Sequence, residues 1–562
     1  MIYRHWFIAA LLTAAALAGP VGFSGSVSLS GRQGWISGDD SLTSPVSGVD
    51  FALNPTLSLW GLPIGLDVLL SSRESGLRQQ LNKFRLHADP AAWAKTVVDA
   101  PWLATAVHAI EVGTCYPAWS PLTLSGEPLT GGLVEINPWA VYLAAAAGRT
   151  RRAVEYSDTT DAAFERMLYA GKFGVGRKEG SHFFLTGLYA RDDSGSIDVP
   201  LVAWDTTIFN GDTIVDSLEA ITPEENYLVG AELNLDLFDG AFALEGEAAV
   251  SQHTRDTRME VEEWDWLPEW ARNTLKPRLS TSVDFAWAAR PVLTVLDTRV
   301  WGEVEFVGPG YTSLGATGLR RDNFSYGGGI GRDFFDRQLS LAMSLTRERD
   351  NNLSSEDSLG NELTPVGATT VFTSWAFDLG CFLRDLPWLQ ISYGPYVETS
   401  ESLSGRSRVL SASAGHDFLT GSVSQSPGVS FSYQDFSSTG GQDDYTAWDV
   451  GLSHSVGFPF PLTVSAGAGL ANTTNAADTL GAGTTTYFEL APGYTLFNAW
   501  SNTLSVGGSL TAAATRYDVG LRSFFPVWKI CSGELGVTRT GYSGEDGSYG
   551  EWYLSAGLSR SW

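Results

Sequence analysis

Cysteine is nearly absent. Cys115, Cys381 and Cys531 stand far apart in 562 residues, which excludes a disulfide framework and any closely spaced thiol motif for metal or redox chemistry. They read as isolated small apolar residues. Basic residues are also scarce, 36 Lys and Arg against 63 Asp and Glu, for a net charge of -27. No basic stripe exists to neutralise phosphates, so nucleic-acid binding is excluded. Charged residues of both signs reach only 18%, where soluble chains run closer to about a quarter. No stretch reaches about 18 uninterrupted apolar residues, which rules out helical membrane spans. The seven histidines are scattered, and neither His-Glu-x-x-His nor Gly-x-Ser-x-Gly occurs. No metal or cofactor site is expected. A Ser/His pair meeting across strands, with His182, His416 or His454 as base, is unconstrained among so many serines, and the chain is not expected to be an enzyme.

What is abundant is glycine and aromatic side chains: 61 Gly, 28 Phe, 20 Trp and 19 Tyr. Low charge with this composition fits a sheet that faces lipid. At the N-terminus, Arg4 precedes the apolar run Phe7 to Ala18, and Ala16-Leu17-Ala18 supplies a small-x-small cleavage pattern. Residues 1–18 are expected to be a cleaved secretory signal, leaving 19–562 as one mature unit; no change of composition marks a further boundary. An exported chain without helical spans enters a membrane only as a closed barrel, because open sheet edges leave backbone groups unpaired in lipid.

Tyr227 to Gln252 shows the repeating unit. Tyr227, Val229, Ala231, Leu233, Leu235 and Leu237 share one face of an extended chain, with Gly230, Glu232, Asn234 and Asp236 on the other. After Phe238-Asp239-Gly240, Phe242, Leu244, Gly246, Ala248 and Val250 oppose Glu245, Glu247 and Ser251. This is the period of two of a strand. Segments of about ten to twelve residues, tilted by about 40°, cross an apolar layer about 25 Å thick.

The same pattern recurs along the chain. Strands are predicted at Phe23 to Gly31, Phe51 to Trp60 and Ile64 to Leu70. A helical pattern then runs from Gln79 to Val107, with Asp89 as N-cap; it reads either as a surface loop helix or as a constriction or plug inside the barrel. Short strands resume at Pro121 to Gly126, Gly132 to Ile136, Ala140 to Ala147 and Arg152 to Tyr156. Clear hairpins begin with Met167 to Val175 and Phe183 to Ala190. Short turns are predicted at Arg290-Pro291, Asp333 to Asp336, Asp385 to Pro387, His416 to Thr420, Gly457 to Pro461, Leu496 to Ala499 and Phe524 to Pro526. They alternate with long polar connections such as Thr254 to Pro277 and Glu348 to Pro365, the asymmetry of outer-membrane barrels. Phe238, Phe334, Phe335, Phe458, Phe460, Phe497 and Trp500 gather at the short turns, as an interfacial girdle requires. The predicted fold is all-β, a transmembrane antiparallel β-barrel of about 22 to 26 strands with 26 preferred, an even number that returns both termini to one side.

The last strand resembles the C-terminal signal of bacterial outer-membrane proteins, with Trp552, Leu554, Ala556 and Leu558 on the face of the final Trp562; Arg560 departs from that pattern. The stretch from Asn54 through Leu122-Thr123-Leu124-Ser125-Gly126 to Gly148-Arg149 is similar to outer-membrane barrel proteins of Gram-negative bacteria. The resemblance implies insertion into the bacterial outer membrane by the general assembly machinery, with membrane lipid as the surrounding partner.

Glu232, Asp236, Glu245, Glu247, Asp284, Glu303 and Glu305 fall on presumed inner faces, with Arg299 as a basic neighbour. Lining an open lumen, they favour cations; paired or merely hydrated, they carry no selectivity. Glu262 to Trp270, rich in Trp, offers aromatics to an external ligand or packs on itself. Gly327 to Gly331 reads as glycine on a curved strand and not as a phosphate loop. The leading expectation is a channel or transporter for small solutes with carboxylates in the lumen. The alternative is a non-conducting surface protein using long acidic loops for adhesion or partner binding.

Overall fold

The computed structural model describes residues 21–38, 47–59, 62–72, 82–88, 106–155, 162–198, 203–209, 212–218, 221–264, 268–350, 369–400, 404–439, 444–475, 483–497, 499–527, 531–544 and 547–562. Twenty-six antiparallel strands, each hydrogen-bonded to the next wall strand in chain order, form one closed sheet. Closure is made by the first and last strands, Val21–Gly38 and Gly547–Ser561, in the register Leu29↔Leu558 and Trp35↔Trp552. A twenty-seventh short strand, Phe418–Thr420, pairs only with the foot of Val423–Ser438 and adds nothing to the wall. One α-helix, Glu269–Leu275, occurs among the described residues, and no helix there is long and apolar enough to cross a membrane.

Alternation fixes the two faces. On Glu225–Leu237, Leu228 is 2% exposed while its neighbour Val229 is 66% exposed. Val229, Val250, Phe285, Phe173 and Leu452 belong to a continuous set of exposed large apolar side chains around the outside. That belt is the lipid-facing surface of a barrel whose strands are hydrogen-bonded to one another all the way round the wall. Both termini and most of the short turns lie at one end, together with the connection that follows Ala88, and most of the longer connections lie at the other. Phe238, Phe335 and Phe497, 80%, 70% and 89% exposed, sit at the tips of short turns, as the aromatic pattern predicts.

Several boundaries differ from expectation. Within the predicted helical insert, Lys83–Ala88 is a strand of the wall; residues 79–81 and 89–105 lie outside the described residues. Pro121 to Gly126 is not a wall strand: only Leu124–Ser125 bridges locally to Ala118–Ser120. Arg152 to Tyr156 contributes an isolated bridge, Val154 to Ala163. Arg290 and Pro291 lie inside the strand Thr281–Val295. The turn is Leu296-Asp297, both at positive φ, the backbone of a two-residue hairpin that usually advertises itself with Asn-Gly. Without glycine it carries no sequence signal, and Pro291 misplaces it. Likewise Phe524 to Pro526 ends the strand Ala514–Val527.

Gly327 to Gly331 lies on the strand Asn323–Phe334. At Gly329 a Cβ would stand 2.3 Å from the Trp301 ring, so that glycine makes room for an inward indole.

Candidate constriction in the barrel lumen

Inward-pointing apolar residues on one side of the wall, among them Leu133, Tyr142, Leu168, Phe184, Leu188 and Leu228, would face water in an empty barrel. Two connections from the long-loop end fold in and cover them: residues 116–128 and 308–322. Trp119, Leu122, Leu124, Tyr311 and Leu314 pack against those wall residues in a single buried cluster. Pro117, Pro121 and Pro128 withhold N–H groups from any ladder, which keeps 116–128 a folded loop instead of two further strands.

The two segments hold each other through their backbones. The Tyr311 hydroxyl donates to the Leu122 carbonyl at 2.6 Å, and the Ser125 amide donates to the Gly315 carbonyl at 2.9 Å. The Ser313 hydroxyl donates to the Thr123 carbonyl. The wall joins in where the Leu314 amide donates to Asn226 Oδ1 at 3.1 Å. Burial pushes the Tyr311 phenol well above its usual range, so it stays a neutral donor. Close approach requires glycine twice. A Cβ on Gly230 would lie 2.6 Å from Thr123 Cγ2, and one on Gly315 would lie 2.7 Å from Leu188 Cδ1.

Towards the short-turn end the packed layer gives way to charge. Glu232 and Glu247 are register partners on adjacent strands, as are Asn234 and Glu245. Facing carboxylates repel, and cations from flanking strands compensate. Lys172 Nζ lies 2.6 Å from Glu232 and donates to the Trp119 carbonyl at 3.0 Å. His182 Nε2 lies 2.8 Å from the same carboxylate. Arg290 binds three carboxylates at once: Glu247 at 3.0 Å, Glu303 at 2.8 Å and Glu305 at 3.0 Å. Glu247 also accepts from the Ser120 hydroxyl, and the Trp119 indole donates to Glu135 at 2.8 Å. A cavity of about 260 Å³ opens here, lined by Trp119, Lys178, His182, Glu232, Glu245 and Arg290 among others.

A second charged layer sits nearer the long-loop end. Arg166 reaches Asp192 at 2.6 Å, Arg151 reaches the same carboxylate at 2.7 Å, and Glu224 closes the group against Arg166. Arg166 and Asp192 are almost fully buried, which such groups tolerate only when paired.

Of the predicted residues, Glu232, Glu247, Glu303 and Glu305 meet in the first layer, and Glu245 lines its cavity. Asp284 accepts from the Gly310 amide at 2.8 Å and anchors the base of the 308–322 segment. Asp236 lies at the short-turn end, apart from the ion pairs. The basic partner of the carboxylates is Arg290, not Arg299, which lies 5.9 Å from the Trp301 ring centroid. Lys172, Lys178 and Glu135 escaped the sequence reading, which considered His182 only as a base for a serine and not as a partner of Glu232. A lysine inside a membrane strand, between Gly171 and Phe173, is the signal that marks it as inward and paired. His182 lies between Glu232 and backbone carbonyls, and His416 stacks near Phe418 at 5.6 Å. Of Glu262 to Trp270, residues 265–267 are outside the described set, and Trp270 is exposed on the helix. Trp552, Leu554 and Leu558 are exposed on the outward face of the closing strand, and Ala556 pairs with Gly31. Trp562 exchanges backbone hydrogen bonds with Gly25 and stacks on Phe23.

A closed even-stranded wall, an apolar outer belt, both termini at the short-turn end and a polar, partly filled interior define a β-barrel of the bacterial outer membrane. No protein-family model matches the chain. No curated protein matches it either. Among solved structures, OccAB4 of Acinetobacter baumannii is 12% identical, with 64% of this chain and 96% of that one covered at a TM-score of 0.29. OpdK of Pseudomonas aeruginosa, solved with vanillate, is 10% identical over 64% and 96%, with a TM-score of 0.30. The P pilus usher PapC translocation pore is 11% identical over 96% and 99%, also at 0.30. The barrel assignment rests on the strand pairing itself and not on these likenesses.

Proposed function

We propose that the protein is a passive outer-membrane channel for small solutes that prefers cations. The observation that carries this reading is the charge balance at the narrowing. Six carboxylates (Glu135, Glu232, Glu245, Glu247, Glu303, Glu305) meet three lysine and arginine side chains (Lys172, Lys178, Arg290). The surplus negative charge faces a lumen walled by low-dielectric protein, where it acts over a longer range than in water.

Support for an aqueous path comes from the other half of the wall. Facing away from Leu462, Val464 and Leu470 are Thr463, Ser465, Gly467 and Gly469, and Ser455 and Ser465 hydroxyls lie 3.1 Å apart on that inner side. Barrels of about 16 to 18 strands already leave a water-filled channel, and two short segments resting on one side of a larger one leave room beside them. The outward row Trp552, Leu554, Ala556 and Leu558, ending at Trp562, suits recognition by the assembly machinery. Arg560 pairs with Val27 near the rim, where a long cationic side chain reaches the interface.

The test is conductance of the purified, folded protein in a planar bilayer, with reversal potential in a salt gradient. Cation-selective steps are expected. A folded barrel that never conducts would overturn the reading in favour of a surface protein acting through its outer loops.

A further inference from the structure

We propose that an apolar groove on the outer wall holds one acyl chain of a phosphorylated membrane lipid, with the phosphate at Arg191 and Arg149. The groove has a volume of about 670 Å³ and lies on the lipid-facing side, on the opposite face of the wall from the constriction.

Strand register arranges it in rows. Ala145, Gly171, Gly187 and Val229 are side by side on successive strands, and three of the four are the smallest residues available. One step towards the short-turn end the row is bulky again, with Leu143 and Phe173 both exposed. One step the other way comes a row of phenols: Tyr169 and Tyr189 rings are 6.4 Å apart, and Tyr189 and Tyr227 are 4.7 Å apart. Beyond the phenols stand Arg149 and Arg191 in a third row. The described parts of the next connection, 255–264 and 268–280, fold back over the outside as a roof. The Tyr227 hydroxyl donates to the Thr274 carbonyl at 3.2 Å, and Gln252 Nε2 donates to the Leu275 carbonyl at 3.0 Å, which brings Leu275 and Trp264 over the groove.

Gly187 shows that the dent is not a by-product of packing. It does not adopt the left-handed backbone region, and a Cβ there would meet no atom within 4 Å. No local geometry demands glycine; its missing side chain is open groove. In a membrane the occupant of an apolar groove on this face is hydrocarbon. The order small residues, tyrosines, arginines matches the order acyl chain, polar linker, phosphate along one lipid. Arg149 has Glu165 at 3.5 Å, a long contact that a phosphate would displace, and Arg191 is held more loosely still. Its carboxylate neighbour Glu225 is 3.8 Å away and already accepts from the Tyr189 hydroxyl at 2.9 Å.

The experiment is native mass spectrometry of the full folded chain in micelles, titrated separately with lipid A, phosphatidylglycerol and neutral diacylglycerol. One tightly held phosphorylated lipid is expected, bound about fivefold or more above diacylglycerol; whichever of lipid A or phosphatidylglycerol binds tighter names the headgroup source. Gly187→Leu fills the groove and is expected to weaken that binding by about tenfold, with the heat-modifiable gel shift of the folded barrel unchanged. Arg149→Gln with Arg191→Gln should remove the preference for phosphate and leave diacylglycerol binding as it was. Equal affinity for all three lipids overturns the proposal, as does wild-type binding by folded Gly187→Leu. A dimer that dissociates in Gly187→Leu also overturns it, by seating a second copy in the groove.

Discussion

The Tyr311 hydroxyl and the Leu122 carbonyl, 2.6 Å apart, join two segments separated by 189 residues of sequence. Each alone would be a loop with exposed backbone; together they form a lid over the apolar inner wall. Tyr311→Phe leaves a buried carbonyl without its donor, a cost of about 1–3 kcal/mol. The expected result is a lower urea midpoint and noisier single-channel current, read in the same preparation.

Gly230 meets the lid from the wall side. Gly230→Val places a side chain where Thr123 Cγ2 already stands, 2.6 Å from the Cβ position. Overpacking of this kind costs about 1–3 kcal/mol, and the loop yields before the hydrogen-bonded strand does. Single-channel conductance should rise, while gel mobility of the folded barrel stays that of wild type.

Charge changes at the narrowing should act in opposite directions. Glu245→Gln removes one surplus negative charge and should shift the reversal potential towards zero. Arg290→Gln removes the cation shared by Glu247, Glu303 and Glu305, which should increase cation preference. It should also destabilise the barrel by about 2 kcal/mol, since partly buried carboxylates lose their counter-charge. Paired reversal-potential and urea measurements separate the two effects.

Among the described residues, the wall is thinnest where Lys83–Ala88 meets Val107–Cys115, with four residue pairs from Arg85↔Gly113 to Ala88↔Ile110. Arg85 staples this seam by reaching Glu111 at 3.1 Å and Asp67 at 3.7 Å. Arg85→Ala should cost about 1 kcal/mol, given the solvent at this pair, and lower the temperature at which the heat-modifiable band converts. Arg85→Lys should recover part of it.

Glu224, which precedes the strand Glu225–Leu237, responds to acid. Burial alone would raise its pKa, but His253 and Arg166 outweigh burial and bring it from 4.5 down to about 2. A carboxylate lowered in this way stabilises the folded state fully above 4.5, and the contribution fades as pH falls towards 2. The protection factor of the Asp192 amide, which donates to the Glu224 carbonyl at 2.9 Å, measured against the intrinsic exchange rate at each pH, should stay level from pH 7 to 5 and fall only below 4.5. In Glu224→Gln it should be low throughout.

Local chemistry made much of this protein readable from its residues. The period of two along Tyr227 to Leu237 assigns each side chain to lipid or lumen, because a pleated strand leaves no other choice. The alternation of short aromatic turns with long polar connections sets the direction of the barrel, and the number of strands follows from counting such segments. Glu232, Glu245, Glu247, Glu303 and Glu305 could be placed on the inner face for the same reason.

What required the folded chain is whatever depends on partners far away in sequence. Leu122-Thr123-Leu124 alternates well enough to pass for a strand, and only the inward apolar patch built from Leu168, Leu188 and Leu228 draws it into the lumen. Arg290, beside a proline, looks like a turn until a hairpin without glycine at Leu296-Asp297 is seen to carry the reversal; its three carboxylates lie on both neighbouring strands. The groove at Gly171 and Gly187 exists only because register sets small residues side by side across the sheet. Sequence by itself determined the faces and the class of fold, since both follow from local alternation. Which loops fill the barrel, which charges pair and where the outer wall is hollow were decided by tertiary register, because each is a relation between strands and not a property of any one of them.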